Sequence, residues 1–224
     1  MNEQEVISDF ELMKIPVIES KESLVSLRDY SKDIIIEINS FSREYENLKE
    51  DECFIRESVA IMLSQAQSLL HKSIKIKVID GFRSLDTQKK LYKLVFEEIK
   101  EKNQSMTKEE LILETDKWVA NPETIPPHTT GAAVDITLVD VAGKELPMGS
   151  EINSISEKAH TICNGLTEEE QKNRSLLIDL MKKVGFTNYP LEWWHWSYGD
   201  RMWAYYSNNK QGIYNAVKKH ETKN

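Results

Sequence analysis

Four stretches of the chain carry apolar residues at the three- and four-residue spacing of an amphipathic helix. The last stretch stops just before Gly185, and glycine commonly follows the C-terminus of a helix. The spacing predicts helices over Glu57 to Leu70, Ser84 to Lys100, Thr107 to Trp118 and Thr167 to Val184.

Three shorter apolar runs have the length and the β-branched content of strands. They are Ile34 to Ile38, Ile74 to Ile79 and Ala133 to Val141. Because helices and strands do not alternate regularly, we predict an α+β domain in which a small, mainly antiparallel sheet is flanked by helices. We expect the chemistry to lie at strand ends and turns.

Composition indicates one domain over residues 1–224, because 40% of the 224 residues are hydrophobic and no linker divides them. The net charge of −8 and the dispersed basic residues argue against a nucleic-acid partner. No run of about twenty apolar residues occurs, and Met1 to Glu5 lack the features of a secretory signal. We therefore expect a cytoplasmic protein without a membrane segment, in which Cys53 and Cys163 are free thiols.

Residues of metal-ligand type lie in two separate segments of the chain. His128 and Asp135 belong to Pro-Pro-His-Thr-Thr-Gly-Ala-Ala-Val-Asp, and His195 ends Glu-Trp-Trp-His. Two imidazoles and one carboxylate can hold zinc and leave its fourth position to water, whose pKa the metal lowers to roughly 7. The set predicts one zinc ion per chain and a hydrolase, although cobalt, nickel or copper can occupy similar ligands.

Each ligand candidate also has a structural interpretation. His195 lies among three tryptophans and alone would be a core histidine, and His128 alone would be a loop histidine. Asp135 interrupts an apolar run, where a buried carboxylate is costly without a cation. The combination of the three residues is what favours a metal site.

Glu192 is the residue that we assign as general base and acid, because a carboxylate beside the metal can accept the proton of water and deliver it to the departing amine. It precedes His195 by three residues, so the two side chains point to opposite faces of an extended segment and to the same face only if the segment turns. We therefore expect a strand end or a turn here.

These motifs resemble those of the zinc D-alanyl-D-alanine dipeptidases, the VanX-like branch of the D,D-peptidase and hedgehog-like superfamily. That family has His-x-x-Gly-x-Ala-x-Asp followed later by Glu-x-Trp-His, and further upstream Asp-Gly-Tyr-Arg. The matching residues are Asp80, Gly81, Phe82, Arg83, His128, Gly131, Ala133, Asp135, Glu192, Trp194 and His195.

The resemblance implies a D,D-peptidase-like fold with its core at about residues 54–206 and terminal extensions packed on that core. It implies that His128, Asp135 and His195 bind zinc, that Glu192 is the catalytic acid and base, and that Arg83 stabilises the oxyanion. An always-charged guanidinium is suited to the last role, because negative charge develops on the carbonyl oxygen of the tetrahedral intermediate. Outside the motif, Arg83 would be interpreted as half of a surface ion pair.

Two departures from the family pattern concern substrate recognition. Pro126 stands where the family has a serine, and Asn153 stands where it has an aspartate that helps to bind the substrate's ammonium group. Proline offers neither a hydroxyl nor an N–H, and an amide carries no charge.

The sequence predicts a zinc peptidase that hydrolyses D-Ala-D-Ala or a similar short D-amino-acid dipeptide by metal-activated water. One alternative is a D,D-carboxypeptidase or endopeptidase acting on peptidoglycan peptides, which uses the same chemistry in a more open cleft. The other is a noncatalytic zinc domain that binds peptides, although the presence of both Glu192 and Arg83 argues against it.

Overall fold

The structure, a computed structural model, describes residues 6–217. Residues Met1 to Glu5, which contributed to the expectation of a cytoplasmic protein, lie outside this range. The helices of this part of the chain are α1 (Asp9–Leu12), α2 (Ser40–Glu46), α3 (Glu57–Leu69), α4 (Leu85–Lys102), α5 (Lys108–Thr115), α6 (Glu168–Lys183) and α7 (Arg201–Tyr206). The strands are β1 (Leu24–Ser26), β2 (Ile35–Ile36), β3 (Phe54–Arg56), β4 (Ile74–Asp80), β5 (Ala133–Asp140), β6 (Thr187–Asn188) and β7 (His195–Ser197). Single turns of 3-10 helix occur at Leu27–Asp29, Pro127–Thr130 and Glu157–Ala159.

The principal sheet has five strands in the order β2-β4-β5-β7-β6. Only β2 runs parallel to its neighbour β4, and the other neighbouring pairs are antiparallel. Strands β1 and β3 form a separate antiparallel pair. The prediction of an α+β domain with a mainly antiparallel sheet is confirmed.

Strand β5 is the centre of the core. Its residues from Ala133 to Val139 are all buried, including the alternate positions that would face water in a sheet covered on one side only. Helices α3 and α6 pack against each other, and α6 also contacts β5. The apolar run that predicted this strand is therefore a consequence of burial on both faces.

The long helices begin at residues that satisfy their free N–H groups. The Ser84 hydroxyl accepts a hydrogen bond from the backbone N–H of Thr87 at the start of α4. Thr107 and Thr167 form capping boxes with Glu110 and Glu170 at the starts of α5 and α6. The predicted positions of α3, α4 and α6 agree with the structure to within two residues at each end.

Other elements were predicted with the wrong extent, and several short elements of the structure were not predicted at all. The expected strand Ile34 to Ile38 shortens to Ile35–Ile36, and the expected helix to Trp118 ends at Thr115. Strands β1, β3, β6 and β7 have two or three residues each, which is too few for alternation to be recognised. No helix among the described residues has the length and apolarity to cross a membrane.

Gly131 is required by two features of the backbone between β3 and β5. Its φ of +68° is left-handed and ends the 3-10 helix that carries His128. A Cβ at this position would lie 2.2 Å from Cδ2 of Leu24, which is fully enclosed in the core. Its carbonyl also accepts a hydrogen bond from the backbone N–H of Arg56, at 2.8 Å.

We predict that Gly131→Ala lowers the free energy of unfolding by about 1–3 kcal/mol more than Gly143→Ala does. Both changes strain the backbone, but only Gly131→Ala also overpacks the core with a methyl group. Gly143 is the matched control, since it also has a positive φ, +83°, but open space at the Cβ position. Urea denaturation of both variants measures the difference. Equal losses would contradict the packing constraint at Gly131.

Candidate active site

Three acidic or imidazole side chains lie side by side across the principal sheet. In the strand register, Asp135 of β5 is opposite His195 of β7 on one side and opposite Asp80 of β4 on the other. The pairing of β4 with β5 shifts between Val78 and Asp80, so Asp80 rather than Ile79 faces Asp135. Residues far apart in sequence are thereby brought to one end of the sheet.

The two predicted imidazole ligands face the Asp135 carboxylate from different directions. His195 Nδ1 lies 3.0 Å from Oδ1 of Asp135, and His128 Nε2 lies 3.4 Å from Oδ2. One ligand atom from each of the three residues lies within 4.8 Å of the others, and all three residues are buried. The structure thus brings the three predicted ligand residues together in one cluster.

The orientation of His128 is set by the backbone. Its Nδ1 lies 2.8 Å from the carbonyl oxygen of Gly81, which can only accept a hydrogen bond. Nδ1 therefore carries the proton, and the lone pair of Nε2 is directed at the cluster. Two neutral imidazoles and a carboxylate are the donor set that zinc takes at a site with an open position, so the residues fit a zinc ion.

The Asp135 carboxylate and the two imidazoles shift the pKa values within the cluster through their charges. Burial alone would raise the pKa of Asp135, but His128 and His195 lower it well below its ordinary value. Burial is the largest single influence and lowers the pKa of His128, but the charge and hydrogen bond of Asp135 and the charge of Asp80 together outweigh it and raise the pKa. The carboxylate is thus held as an anion, which is the form that binds a cation.

Glu192 lies at a turn that leads directly into β7, as predicted. The backbone N–H of His195 donates to the Glu192 carbonyl at 3.2 Å, and the Asn188 side chain donates to the carbonyls of Glu192 and His195. The turn brings Oε2 of Glu192 to 3.9 Å from Nδ1 of His195. Burial, with a smaller contribution from the Asp135 charge, raises the pKa of Glu192 to about 6.

Arg83 is held rigidly between β4 and α4. Its guanidinium donates to Oδ2 of Asp80 and, at 2.9 Å, to Oε1 of Gln88. Its backbone N–H donates to the carbonyl of His128 at 3.2 Å. The Nε atom of Arg83 is buried and has no hydrogen-bond partner among the described residues. Burial is the largest single influence and lowers the pKa of Arg83, but the charge and hydrogen bond of Asp80 and the charges of Asp135 and Glu192 together outweigh it and raise the pKa.

All five predicted site residues line one cleft, which has a volume of about 120 Å³ and opens to solvent. Pro126 and Asn153, the two departures from the family pattern, line the same cleft. Its other lining residues are Asp9, Gln88, Leu91, Asp116, Lys117, Trp118, Val119, Ala120, Pro127, Tyr189 and Met202.

The sequence analysis assigned no role to three residues that lie at or beside this site. Asp80 and Gln88 hold Arg83, and the Tyr189 ring lies edge-on to His195 with 6.2 Å between the ring centroids. Asp80 lies within the motif that identified Arg83, so a search for the counter-ion of a buried arginine would have found it. Nothing in the sequence marks Tyr189, which the chain fold brings to the site.

The expectation of free thiols is confirmed, because Cys53 is buried and unpaired and Cys163 is partly exposed and unpaired.

Comparison with protein families gives a match to the model described as D-ala-D-ala dipeptidase, over residues 35–216. The chain belongs to this family. A D-alanyl-D-alanine dipeptidase of Synechocystis is 34% identical over an alignment 181 residues long, which covers 70% of this chain and 73% of that protein. The D-alanyl-D-alanine dipeptidase of Enterococcus faecium is 40% identical over 70 residues, 31% of this chain and 35% of the relative.

Among solved structures, VanYB in complex with D-Alanine-D-Alanine is similar with a TM-score of 0.46 and 16% sequence identity. The match covers 87% of this chain and 93% of that chain. Membership of the dipeptidase family confirms the resemblance drawn from the motifs and identifies the chain as a metallopeptidase.

We predict that Asp80→Asn lowers the free energy of unfolding by about 3–5 kcal/mol, because it leaves the buried Arg83 charge without its counter-ion. Both side chains are largely buried, with 2% of Asp80 and 11% of Arg83 exposed. Combining this change with Arg83→Met should cost less than the sum of the single changes, since the double variant has no unpaired charge. Urea denaturation of the four proteins gives the coupling free energy, and additive losses would contradict the pairing.

Proposed function

We propose that this peptidase is a zinc-dependent dipeptidase that hydrolyses D-Ala-D-Ala or a similar short D-amino-acid dipeptide. The observation that carries the proposal is the convergence, in one cleft, of the His128, Asp135 and His195 ligand atoms with the carboxylate of Glu192. The names of the curated relatives supply the substrate class.

His128 Nε2, His195 Nδ1 and an oxygen of Asp135 would hold the zinc ion. When bound, zinc polarises the substrate carbonyl and lowers the pKa of the attacking water to about 7. Each ligand comes from a different element: Asp135 from β5, His195 from β7 and His128 from the 3-10 turn. Rigid elements of this kind hold the metal-binding side chains in place with little freedom to reorganise.

Glu192 acts as the general base and then as the general acid. Its side chain is 32% exposed and lines the cleft, and its pKa of about 6 is suited to exchanging protons at neutral pH. It accepts a proton from the attacking water through an Oε atom and transfers it to the nitrogen of the departing D-amino acid. Because Glu192 is not one of the clustered ligands, its oxygens remain available for this transfer.

Arg83 stabilises the negative charge that develops on the former carbonyl oxygen. Asp80 and Gln88 fix two of its nitrogens, so the guanidinium is aimed before substrate arrives and pays little reorganisation free energy during the reaction. Arg83 lines the cleft, and each of its two terminal nitrogens keeps a second N–H group that can donate to substrate.

The charge of the cleft favours a substrate with a free amino group. Its lining includes the carboxyl groups of Asp9, Asp116, Asp135 and Glu192, which outnumber the cationic side chains of Arg83 and Lys117. Asn153 cannot supply the charge of the aspartate that the family has at this position. Asp9 or another of these carboxyl groups therefore serves as the electrostatic partner of the ammonium group. A neutral, blocked N-terminus would forgo this attraction.

Equilibrium dialysis should give one zinc ion bound per wild-type chain, because the cluster offers one set of three ligands. We expect His128→Ala to lose this stoichiometric zinc, and zinc to raise the thermal midpoint of the wild type but not of the variant. His71→Ala is the matched control, since His71 is exposed and distant in the fold from the cluster. Retention of one zinc ion by His128→Ala would contradict the assignment.

D-alanine release from D-Ala-D-Ala by the zinc-loaded protein tests the reaction. We expect Glu192→Gln to lower kcat by about 10²–10⁴-fold with zinc content unchanged, since the amide cannot accept the proton. We expect Arg83→Lys to lower it by about 10²-fold, because the planar fork is lost. Glu101→Gln, at an exposed position of α4, should leave kcat unchanged.

The same assay with N-acetyl-D-Ala-D-Ala separates the alternatives. Hydrolysis of the free dipeptide alone supports the dipeptidase. Hydrolysis of the blocked compound alone would assign a D,D-carboxypeptidase, and absence of Glu192-dependent hydrolysis of either would contradict the proposed reaction and favour a zinc domain that only binds peptides.

A further inference from the structure

Arg174 of α6 is a buried arginine whose guanidinium binds backbone carbonyl groups. The residue is 3% exposed. Its Nε donates to the carbonyl of Met148 at 2.6 Å. Its two terminal nitrogens donate to the carbonyls of Lys158, His160 and Thr161. A buried charge is costly unless its donors are satisfied, so the guanidinium and these four carbonyls hold one another in place.

The four carbonyls belong to the two ends of one loop, residues 148–161. Met148 is at its first end, and the other three carbonyls are at its second end. Asn153, which lines the cleft, lies between the two ends. Leu177, one turn further along α6 than Arg174, is buried in the core. The arginine therefore ties both ends of the loop to a helix that is itself anchored.

The same loop binds the turn that carries Glu192. The backbone N–H of Thr161 donates to the carbonyl of Pro190 at 2.9 Å, and the backbone N–H of Trp193 donates to the carbonyl of Ala159 at 2.9 Å. One of these bonds is made before Glu192 in the sequence and the other directly after it. The loop therefore holds the turn on both sides of the carboxylate.

Side chains add further contacts between the loop and the turn. The Thr161 hydroxyl donates to the carbonyl of Tyr189 at 3.1 Å, and Nε1 of Trp193 donates to Oγ of Ser150 at 2.9 Å. Cζ of Arg174 lies 5.7 Å from the centroid of the Trp193 ring, within the range of a cation–π contact. Arg174 thus contacts the turn directly as well as through the loop.

We propose that Arg174 is a positioning residue for Glu192. By fixing the loop, it holds the turn so that Oε2 of Glu192 stays 3.9 Å from Nδ1 of His195, beside the ligand cluster. A general base must lie within hydrogen-bond reach of the proton that it accepts, and a displacement of about 1 Å can cost about 10²-fold in rate. The inference rests on the proposed role of Glu192, but it concerns how this carboxylate is held.

Arg174→Lys tests the positioning role while keeping the charge. A lysine ammonium is a compact group without the planar fork, so it cannot bind both ends of the loop. We expect kcat for D-Ala-D-Ala to fall about 10–100-fold, with KM changed less than about threefold and zinc content unchanged. Arg28→Lys is the matched control, because Arg28 also donates to two backbone carbonyls but lies outside the cleft lining.

A double-mutant cycle with Glu192→Gln gives a readout that a merely structural role would not move. Because Arg174 acts through Glu192, Arg174→Lys should lower kcat little further once the carboxylate is an amide. A general loss of folding would lower kcat by the same factor in both backgrounds. Thr161→Val removes the hydroxyl contact to the turn and leaves Arg174 in place, so it should give a smaller loss with the same dependence on Glu192. This variant decides the matter if Arg174→Lys does not fold.

Amide hydrogen exchange tests the link between the arginine and the turn without substrate. In Arg174→Lys, the amides of Thr161 and Trp193 should exchange about tenfold faster or more, because the loop that they join to the turn is released. The amides of β5 should keep their wild-type protection. Faster exchange in a protein that does not cleave D-Ala-D-Ala would uphold the positioning of the turn and reject the dipeptidase.

Wild-type kcat in Arg174→Lys would overturn the proposal, as would equal losses of kcat in the two Glu192 backgrounds. Wild-type exchange of the Thr161 and Trp193 amides would also overturn it, because the turn would then not depend on the arginine. A rise in KM with unchanged kcat would assign the loop to substrate binding through Asn153 instead.

Discussion

The carboxylate of Asp135 sets the main constraint on this fold. It lies on the central strand β5 between apolar neighbours and is 6% exposed. An ionised carboxylate at such a depth is costly by several kcal/mol unless partners compensate its charge. The strand register places His195 opposite it, and the 3-10 turn supplies His128. Much of the surrounding architecture, including the shift in β4 and the turn before β7, serves to assemble these partners around one anion.

Local pattern accounts for what could be predicted of the fold. Helices α3, α4 and α6 have 13 to 18 residues, enough for periodicity and capping residues such as Thr167 to mark them. Strand β7 has three residues and contains His195, so the element that carries a ligand is invisible to pattern analysis. Its existence depends on pairing with β5 and β6, which are distant interactions that no short window of sequence contains.

The candidate site was more predictable than the fold, because residue type and order limit the chemistry. His128, Asp135, Glu192, His195 and Arg83 could all be selected before their positions in space were known. The supporting residues could not. Gln88 reads as a residue in the first turn of a helix, and only three-dimensional contacts relate it to Arg83. Supporting roles are therefore defined by geometry, whereas ligand roles are defined by chemistry.

The segments that carry His128 and Arg83 are joined by two reciprocal hydrogen bonds. His128 Nδ1 donates to the carbonyl of Gly81, and the N–H of Arg83 donates to the carbonyl of His128. The two bonds close a ring between parts of the chain about 45 residues apart, so neither segment can shift without the other. The two bonds therefore restrict any change in the distance between the His128 imidazole and the Arg83 guanidinium. A change in the size of an accepted peptide would therefore come from other lining residues of the cleft, such as Asp9, Pro126 and Asn153.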